Sequence, residues 1–240
     1  MKLIIILISV LLGLQFIVSS DIKLNCNKNN EKQLDEVIQN LYLFGAPDRQ
    51  YPTVKKDMKK FCSDNEKYQK FIKEYGIKCK KGLSKQVLGL MMYSVAKHST
   101  GICKSNQRTN EFLNIGNCGN TAKNDTIKCW KNLIKAVDSI SYNTNNKLKI
   151  PLICCNYYVL KTCSQKSYES RPNQCNSKAI DGHEKLLNAF ALDTLKLLCS
   201  EYNEDNDKCD KIISQTGVSK LKVLPKSPIV PFIKILEELD

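Results

Sequence analysis

The sequence has little of what metal sites and nucleophilic active sites require. Its 240 residues include only two histidines, His98 and His183, and no Cys-x-x-Cys pair. Zinc sites use closely spaced cysteine and histidine ligands, and most nucleophilic sites need a histidine base. Neither histidine has a paired-ligand spacing, and there is no Gly-x-Ser-x-Gly motif. We therefore predict no metal, no cofactor and no catalytic residue, and we interpret both histidines as surface residues.

The sequence also lacks a long apolar run after its first 20 residues. Those residues combine a positive start at Lys2, an almost unbroken apolar stretch from Leu3 to Val18, and small residues at the cleavage position. This pattern is typical of a signal peptide, whereas a membrane span needs about 20 apolar residues. We predict that residues 1–20 are a signal peptide, that the protein is secreted and extracellular, and that the mature chain has no transmembrane segment.

Cysteine, in contrast, is abundant and even in number. All twelve cysteines follow the predicted signal peptide: Cys26, Cys62, Cys79, Cys103, Cys118, Cys129, Cys154, Cys155, Cys163, Cys175, Cys199 and Cys209. An even count in an exported chain indicates disulfides rather than metal ligands. We therefore expect six structural disulfides, but the sequence does not tell us which cysteines pair.

Acidic residues are scarce in the first two thirds of the chain. Residues 21–165 carry 25 basic and 12 acidic side chains, whereas residues 166–240 carry 11 and 12. A basic secreted protein is suited to anionic surfaces such as glycosaminoglycans or microbial envelopes. The lysines are scattered and form no long basic block, so a solvated face is the simpler interpretation and nucleic acid is an unlikely partner.

Apolar residues recur at helical spacing, and no segment alternates with the period of a strand. The sequence therefore predicts an all-α, disulfide-rich helical bundle. We expect one disulfide-linked helical domain over residues 21–217 and a proline-containing tail over 218–240 docked on it. The predicted helices cover 31–44, 53–75 (as two helices broken near Asp64-Asn65), 84–99 (with Ser84 as N-cap), 125–142, a segment begun near Pro151, 178–202 and 207–215. Residues 104–124 are rich in Asn and Gly and are expected to form a long loop.

The cysteine spacing suggests degenerate helical repeats. Three triplets share a period of 45 to 51 residues: Cys79, Cys103 and Cys118; Cys129, Cys154 and Cys163; and Cys175, Cys199 and Cys209. Each triplet would place one cysteine before a long helix, one on it and one after it. The remaining cysteines, Cys26, Cys62 and Cys155, would link the units, although coincidence explains the spacing as well.

Two adjacent cysteines, Cys154 and Cys155, lie in a helix that also carries Cys163. Bonded cysteines have Cα atoms roughly 5.5 Å apart, which adjacent residues reach only through a distorted peptide. We expect Cys154 and Cys155 to bond to different segments. Secreted phospholipases have Cys-Cys-x-x-His-Asp, but here Tyr158 and Val159 replace the general base and the calcium ligand, which excludes that activity.

The Cys-Cys-x7-Cys helix, the signal peptide and the helical units resemble arthropod secreted cysteine-rich proteins of the 27 kDa haemolymph glycoprotein type. The resemblance covers most of residues 22–215 and depends on cysteine spacing. It implies secretion, glycosylation and no established enzymatic activity. Asn124-Asp125-Thr126 is the N-glycosylation sequon, which we expect in an accessible loop just before a helix.

Three functions remain open from the sequence. The first is a non-enzymatic extracellular protein that carries a small apolar ligand between its helices, with Met91-Met92-Tyr93 as a candidate wall; it requires an internal cavity of about 300 Å³ or more. The second is a salivary or venom-type effector that binds host or microbial anionic surfaces. The third is an enzyme of unrecognised class, which would need His98 or His183 in a cleft beside a carboxylate or hydroxyl group.

Overall fold

A computed structural model describes residues 24–143, 145–199, 201–202 and 207–240, without the side chains at 190–193 and 195–196. The predicted signal peptide, residues 1–20, lies outside this part of the chain. The described residues form α-helices and short 3-10 helices and no β-strand, which confirms the predicted all-α class. The α-helices are Lys28–Leu41 (α1), Lys55–Cys79 (α2), Gly82–Lys104 (α3), Asn106–Ser141 (α4), Asn146–Glu169 (α5), Ser177–Leu198 (α6), Lys208–Ile212 (α7) and Ile229–Leu239 (α8). The 3-10 helices are Leu43–Gly45 and Ile213–Thr216.

Helix α4 is the centre of the bundle and contacts α3, α5, α6 and α8. The prediction of a loop over 104–124 was wrong, because these residues form the first half of α4. Asn120 does not break the helix: its side chain accepts a hydrogen bond from Tyr51 N at 2.8 Å and donates one to Tyr51 O at 3.0 Å. Gly116 lets the preceding segment approach closely, since a Cβ there would lie 2.3 Å from Pro52 O. Tertiary contacts thus override the weak helix propensity of these residues.

Three further features of the helices differ from the prediction. Helix α2 runs without a break, because Asn65 is buried and its side chain accepts a hydrogen bond from Arg49 Nη1 at 2.7 Å. Ser84 is not an N-cap: it lies inside α3, where its hydroxyl donates to Lys81 O at 2.9 Å. Pro151 lies inside α5 rather than in its first turn, since α5 begins at Asn146. Asn65 was mistaken for a local helix break because its partner, Arg49, lies 16 residues away.

All twelve cysteines are paired. The disulfides are Cys26–Cys79, Cys62–Cys103, Cys118–Cys175, Cys129–Cys163, Cys154–Cys199 and Cys155–Cys209. The prediction that Cys154 and Cys155 bond to different segments is confirmed: one reaches the residue that follows α6, and the other reaches α7. The triplets are not equivalent units, because Cys129 pairs within its triplet whereas Cys79 and Cys175 pair outside theirs.

The disulfides fall into two groups that no disulfide joins. Two bonds lie within residues 26–103, the region of α1, α2 and α3, and the other four lie within residues 118–209, the region from α4 to α7. Residues 210–240 carry no cysteine, and α8 packs between the groups against α1, α3 and α4. The C-terminal helix therefore joins the two groups by noncovalent contacts alone.

The C-terminal segment is anchored to both groups by polar contacts. Asp35 on α1 accepts hydrogen bonds from Lys226 N at 2.6 Å and Ser227 N at 2.7 Å. Trp130 on α4 donates from Nε1 to Lys226 O at 3.1 Å. Trp130 packs against the 3-10 helix at Gly45, where a Cβ would lie 2.4 Å from its Nε1 atom, so only glycine fits there. The single tryptophan is thus a core residue that also holds the tail.

Candidate functional site

A groove between α3, α4 and α6 is the best candidate for a functional site. It encloses about 620 Å³, within the range of roughly 300–1,000 Å³ typical of small-molecule sites. We call it the His98 groove; it is lined by His98, Ile102, Arg108, Glu111, Phe112, Asn114, Ile115, Lys178, Asp181, Gly182, Lys185 and Leu186. Because α3 and α6 belong to different disulfide groups, the groove lies at the junction between them.

Three cations line the groove. Arg108 lies at the start of α4, and Lys178 and Lys185 lie on the same face of α6, about two turns apart. None of them forms an ion pair within the described residues. Two carboxylates, Glu111 and Asp181, also lie in the groove. The groove therefore has an excess of one positive charge without counting His98, and its cations are available to an incoming anion.

The floor of the groove is apolar. It consists of the buried side chains of Ile102, Phe112, Ile115 and Leu186. Gly182 sets its depth, because a Cβ there would lie 2.9 Å from Ile115 Cδ1 and would push α6 away from α4. An apolar floor beneath charged side chains makes the groove amphipathic.

His98 is half-buried at the α3 side of the groove. Burial lowers the pKa of His98, and the nearby Arg108 guanidinium lowers it further. Both effects favour the neutral imidazole, which adds a hydrogen-bonding group but no charge at neutral pH. The sequence identified this residue only as a surface histidine, whereas it lines the pocket.

His183 lies in the core, so its interpretation as a surface residue was wrong. It is 2% exposed and stacks on Tyr168 with ring centroids 3.9 Å apart. Neither ring nitrogen has a hydrogen-bond partner among the described residues. Burial lowers the pKa of His183 to about 3, so the ring is neutral at physiological pH. A side chain sealed in this way cannot reach a substrate in solvent.

A second buried tyrosine, Tyr51, lies beside Tyr168. Tyr51 and Tyr168 meet across Gly119, where a Cβ would lie 3.1 Å from the Tyr168 hydroxyl. Burial raises the pKa of both tyrosines, and their mutual proximity raises that of Tyr51 further. Both therefore remain protonated, and the cluster is a neutral part of the core.

A second, smaller cavity lies beneath the N-terminal end of α8. It encloses about 70 Å³ and is bordered almost entirely by apolar atoms of α3, α4, α5, α6 and α8, including Met91 and Phe232. Of the predicted wall Met91-Met92-Tyr93, Met91 lines this cavity, whereas Tyr93 is 63% exposed. The volume is well below the roughly 300 Å³ that a ligand pocket needs, so this cavity does not hold a carried ligand in this conformation.

The predicted glycosylation site Asn124 is exposed, but it lies within α4 rather than in a loop. Thr126, the third residue of the sequon, is buried, and its hydroxyl donates to Lys123 O at 3.0 Å. A transferase must reach both residues of the sequon. Glycosylation would therefore have to precede the folding of this helix.

The residues that the structure describes contain no helix long and apolar enough to cross a membrane. The same residues contain no group of three His, Cys, Asp or Glu side chains placed to hold a metal ion. The fold and the groove together define a disulfide-rich all-α protein with an amphipathic groove of ligand size where its disulfide groups meet. Six disulfides are typical of an extracellular protein.

Comparisons with protein-family models, with curated proteins and with solved structures find no match to this chain. The resemblance to haemolymph glycoproteins therefore stays a prediction.

Proposed function

We propose that this chain is a secreted, non-enzymatic extracellular protein, of the haemolymph glycoprotein kind, that carries a small ligand with apolar groups between its helices. The observation that supports it best is the His98 groove, whose 620 Å³ volume and apolar floor suit such a ligand. The 70 Å³ cavity beneath α8 is too small for the same role. The internal cavity beside Met91 thus falls short of the required size, and we place the ligand instead in the open groove between α3, α4 and α6.

The surroundings of the histidines favour binding over catalysis. His183 is buried among aromatic rings without a hydrogen-bond partner, so it cannot act as a base on a bound molecule. His98 lines the groove, where burial and the neighbouring cation Arg108 both lower its pKa. The groove is therefore better suited to hold a molecule than to transform it.

Native mass spectrometry of the protein purified from its own body fluid tests this proposal. We expect a polypeptide that begins at Asp21, an attached glycan at Asn124, and a retained small molecule that is released under denaturing conditions. A chain that retains its first 20 residues would contradict secretion. A secreted protein that never carries a small molecule, even after equilibration with an extract of that fluid, would contradict the carrier role.

A second candidate function is binding to an anionic surface, and helix α2 is the observation that favours it. Its eight lysines are all exposed: Lys55, Lys56, Lys59, Lys60, Lys67, Lys70, Lys73 and Lys78. At 100° per residue they fall within about 140° of arc along about 35 Å of helix. Only Lys60 and Lys70 form ion pairs, with Asp64 and Glu74, among the described residues. This arc also contains Glu66 and Glu74, so the face carries eight lysines against two carboxylates and is predominantly positive.

Heparin chromatography of two matched variants tests this second function. Replacement of Lys56, Lys59, Lys67 and Lys73 by Gln should shift elution to clearly lower salt. Replacement of Lys131, Lys135, Lys166 and Lys222, which are exposed on other elements, removes the same charge and should have a smaller effect. Equal shifts would indicate attraction by net charge alone. Elution of the unmodified protein below about 0.15 M salt would contradict a specific surface, because such ionic strength screens diffuse attraction.

A further inference from the structure

We propose that the ligand of the His98 groove is an amphipathic organic anion, a molecule that joins a carboxylate, sulfate or phosphate group to an apolar body. The inference rests on the proposed ligand-binding function and specifies the chemistry of its ligand. It follows from the arrangement of the groove, in which unpaired cations lie above a buried apolar floor.

The cations are the first step of the argument. Arg108, Lys178 and Lys185 line one groove, and none has a carboxylate partner within 4 Å among the described residues. Asp181 lies between the two lysines on the same helix, at spacings of three and four residues that favour pairing, yet neither lysine pairs with it. An anion in the groove would gain charge-assisted hydrogen bonds without first breaking an existing ion pair.

Helix geometry adds to this preference for an anion. The groove includes the first turns of α6, which begins at Ser177, so the positive end of the helix dipole lies beside Lys178. The Arg108 guanidinium lies against α3, since a Cβ at Gly101 would be 2.3 Å from its Nη1 atom. Glycine at this position gives the guanidinium room to lie across the helix beside His98.

The apolar floor is the second step of the argument, because it requires the ligand to have an apolar body besides its anionic group. Ile102, Phe112, Ile115 and Leu186 are each less than 6% exposed, so only a ligand that enters the groove can contact them further. Phe112 offers a ring face, and the aliphatic side chains offer area for a chain or ring system. A small inorganic anion would leave this surface unused, and a neutral apolar molecule would leave the cations unused.

The experiment compares two fluorescent probes with the same aromatic skeleton on the intact disulfide-bonded protein. The anionic probe is 8-anilinonaphthalene-1-sulfonate and the neutral one is N-phenyl-1-naphthylamine. We expect the anion to bind more tightly. Replacement of Arg108, Lys178 and Lys185 by Gln should raise its Kd by about tenfold or more, and that of the neutral probe by less than about threefold.

Two further variants separate the groove from other sites. The control replaces Lys59, Lys67 and Lys73 on α2 by Gln, removes the same charge and should leave both Kd values unchanged. Asn114→Trp, at an exposed position in the groove, should weaken both probes by filling the space. Circular dichroism and thermal unfolding confirm that each variant is folded.

The outcomes distinguish this inference from the proposed function. Both probes bound equally, unaffected by the loss of the three cations but weakened by Asn114→Trp, would overturn the anionic ligand and retain a groove for apolar molecules. An effect of the α2 control as large as that of the groove variant would overturn the role of Arg108, Lys178 and Lys185. No binding of either probe, or binding that Asn114→Trp leaves unchanged, would overturn the groove as a ligand site.

Discussion

Acidification from pH 7 to pH 4.5 is expected to lower the free energy of unfolding by about 3 kcal/mol through His183 alone. Burial holds the pKa of this histidine at about 3 in the folded protein, against 6.5 in an exposed chain. Below pH 6.5 the unfolded chain therefore binds a proton that the folded protein cannot accept. This stabilisation is complete above pH 6.5, declines as the pH falls, and its total loss reaches about 5 kcal/mol below pH 3.

The variant His183→Leu isolates this effect, because leucine has a similar volume and does not titrate. Urea unfolding at several pH values should show a pH dependence that is about 3 kcal/mol smaller for the variant than for the unmodified protein between pH 7 and pH 4.5. His98→Gln is the matched control. His98 is only half-buried, so its removal should change the pH dependence much less. Parallel curves for His183→Leu and the unmodified protein would show that the ring can be protonated without unfolding.

The position of His183 could have been inferred from the sequence. The helix predicted over 178–202 has Ile180 and Leu187 on its apolar face, and His183 is three residues from one and four from the other. Residues at these spacings share a helix face. The helical spacing of Ile180, His183 and Leu187 therefore places the histidine on the buried face of the helix.

The groove, in contrast, was beyond prediction from the sequence. Its residues come from 98–115 and 178–186, and the first of these ranges includes a segment that local propensity assigns to a loop. That segment is helical because the Asn120 side chain hydrogen-bonds to the backbone of Tyr51. Gly116 also lets the extended segment at Pro52 approach the helix closely. Such contacts join residues about 70 positions apart. No window of local sequence contains them.

Disulfide pairing, too, is predictable from the sequence only where it depends on neighbouring residues. That Cys154 and Cys155 bond to different segments follows from the geometry of adjacent residues, and the structure confirms it. Which segments they reach does not follow, because twelve cysteines allow on the order of ten thousand pairings. The equal spacing of the triplets gave no guide either, since equivalent positions pair differently.

Because the disulfides form two separate groups, noncovalent contacts hold these groups against each other. Helix α8 bridges the groups on one side, through Asp35 on α1 and Trp130 on α4. The His98 groove lies between α3 and α6, where residues of the two groups meet. No disulfide therefore spans the groove, and its two sides are held together by packing between helices.

Removal of the Cys154–Cys199 disulfide is expected to lower the free energy of unfolding by about 5 kcal/mol. The bond closes a loop with a sequence separation of 45 residues, which on chain entropy alone contributes about 4 kcal/mol. Both cysteines are buried, at 1% and 3% exposure, and both border the 70 Å³ cavity beneath α8. Loss of two sulfur atoms enlarges that cavity and adds about 1 kcal/mol, by the usual cost of cavity volume.

Cys26–Cys79 is the matched control, because its sequence separation of 53 residues gives nearly the same chain entropy. Cys26 is exposed and Cys79 half-buried, so their replacement creates no cavity. Guanidinium unfolding of Cys154→Ala/Cys199→Ala and Cys26→Ala/Cys79→Ala should therefore show the first variant less stable by about 1 kcal/mol. Equal losses would mean that the adjacent-cysteine helix contributes through chain entropy alone. A loss for Cys26–Cys79 larger by more than about 0.1 kcal/mol, the difference that its longer loop accounts for, would contradict the expected cavity cost at Cys154–Cys199.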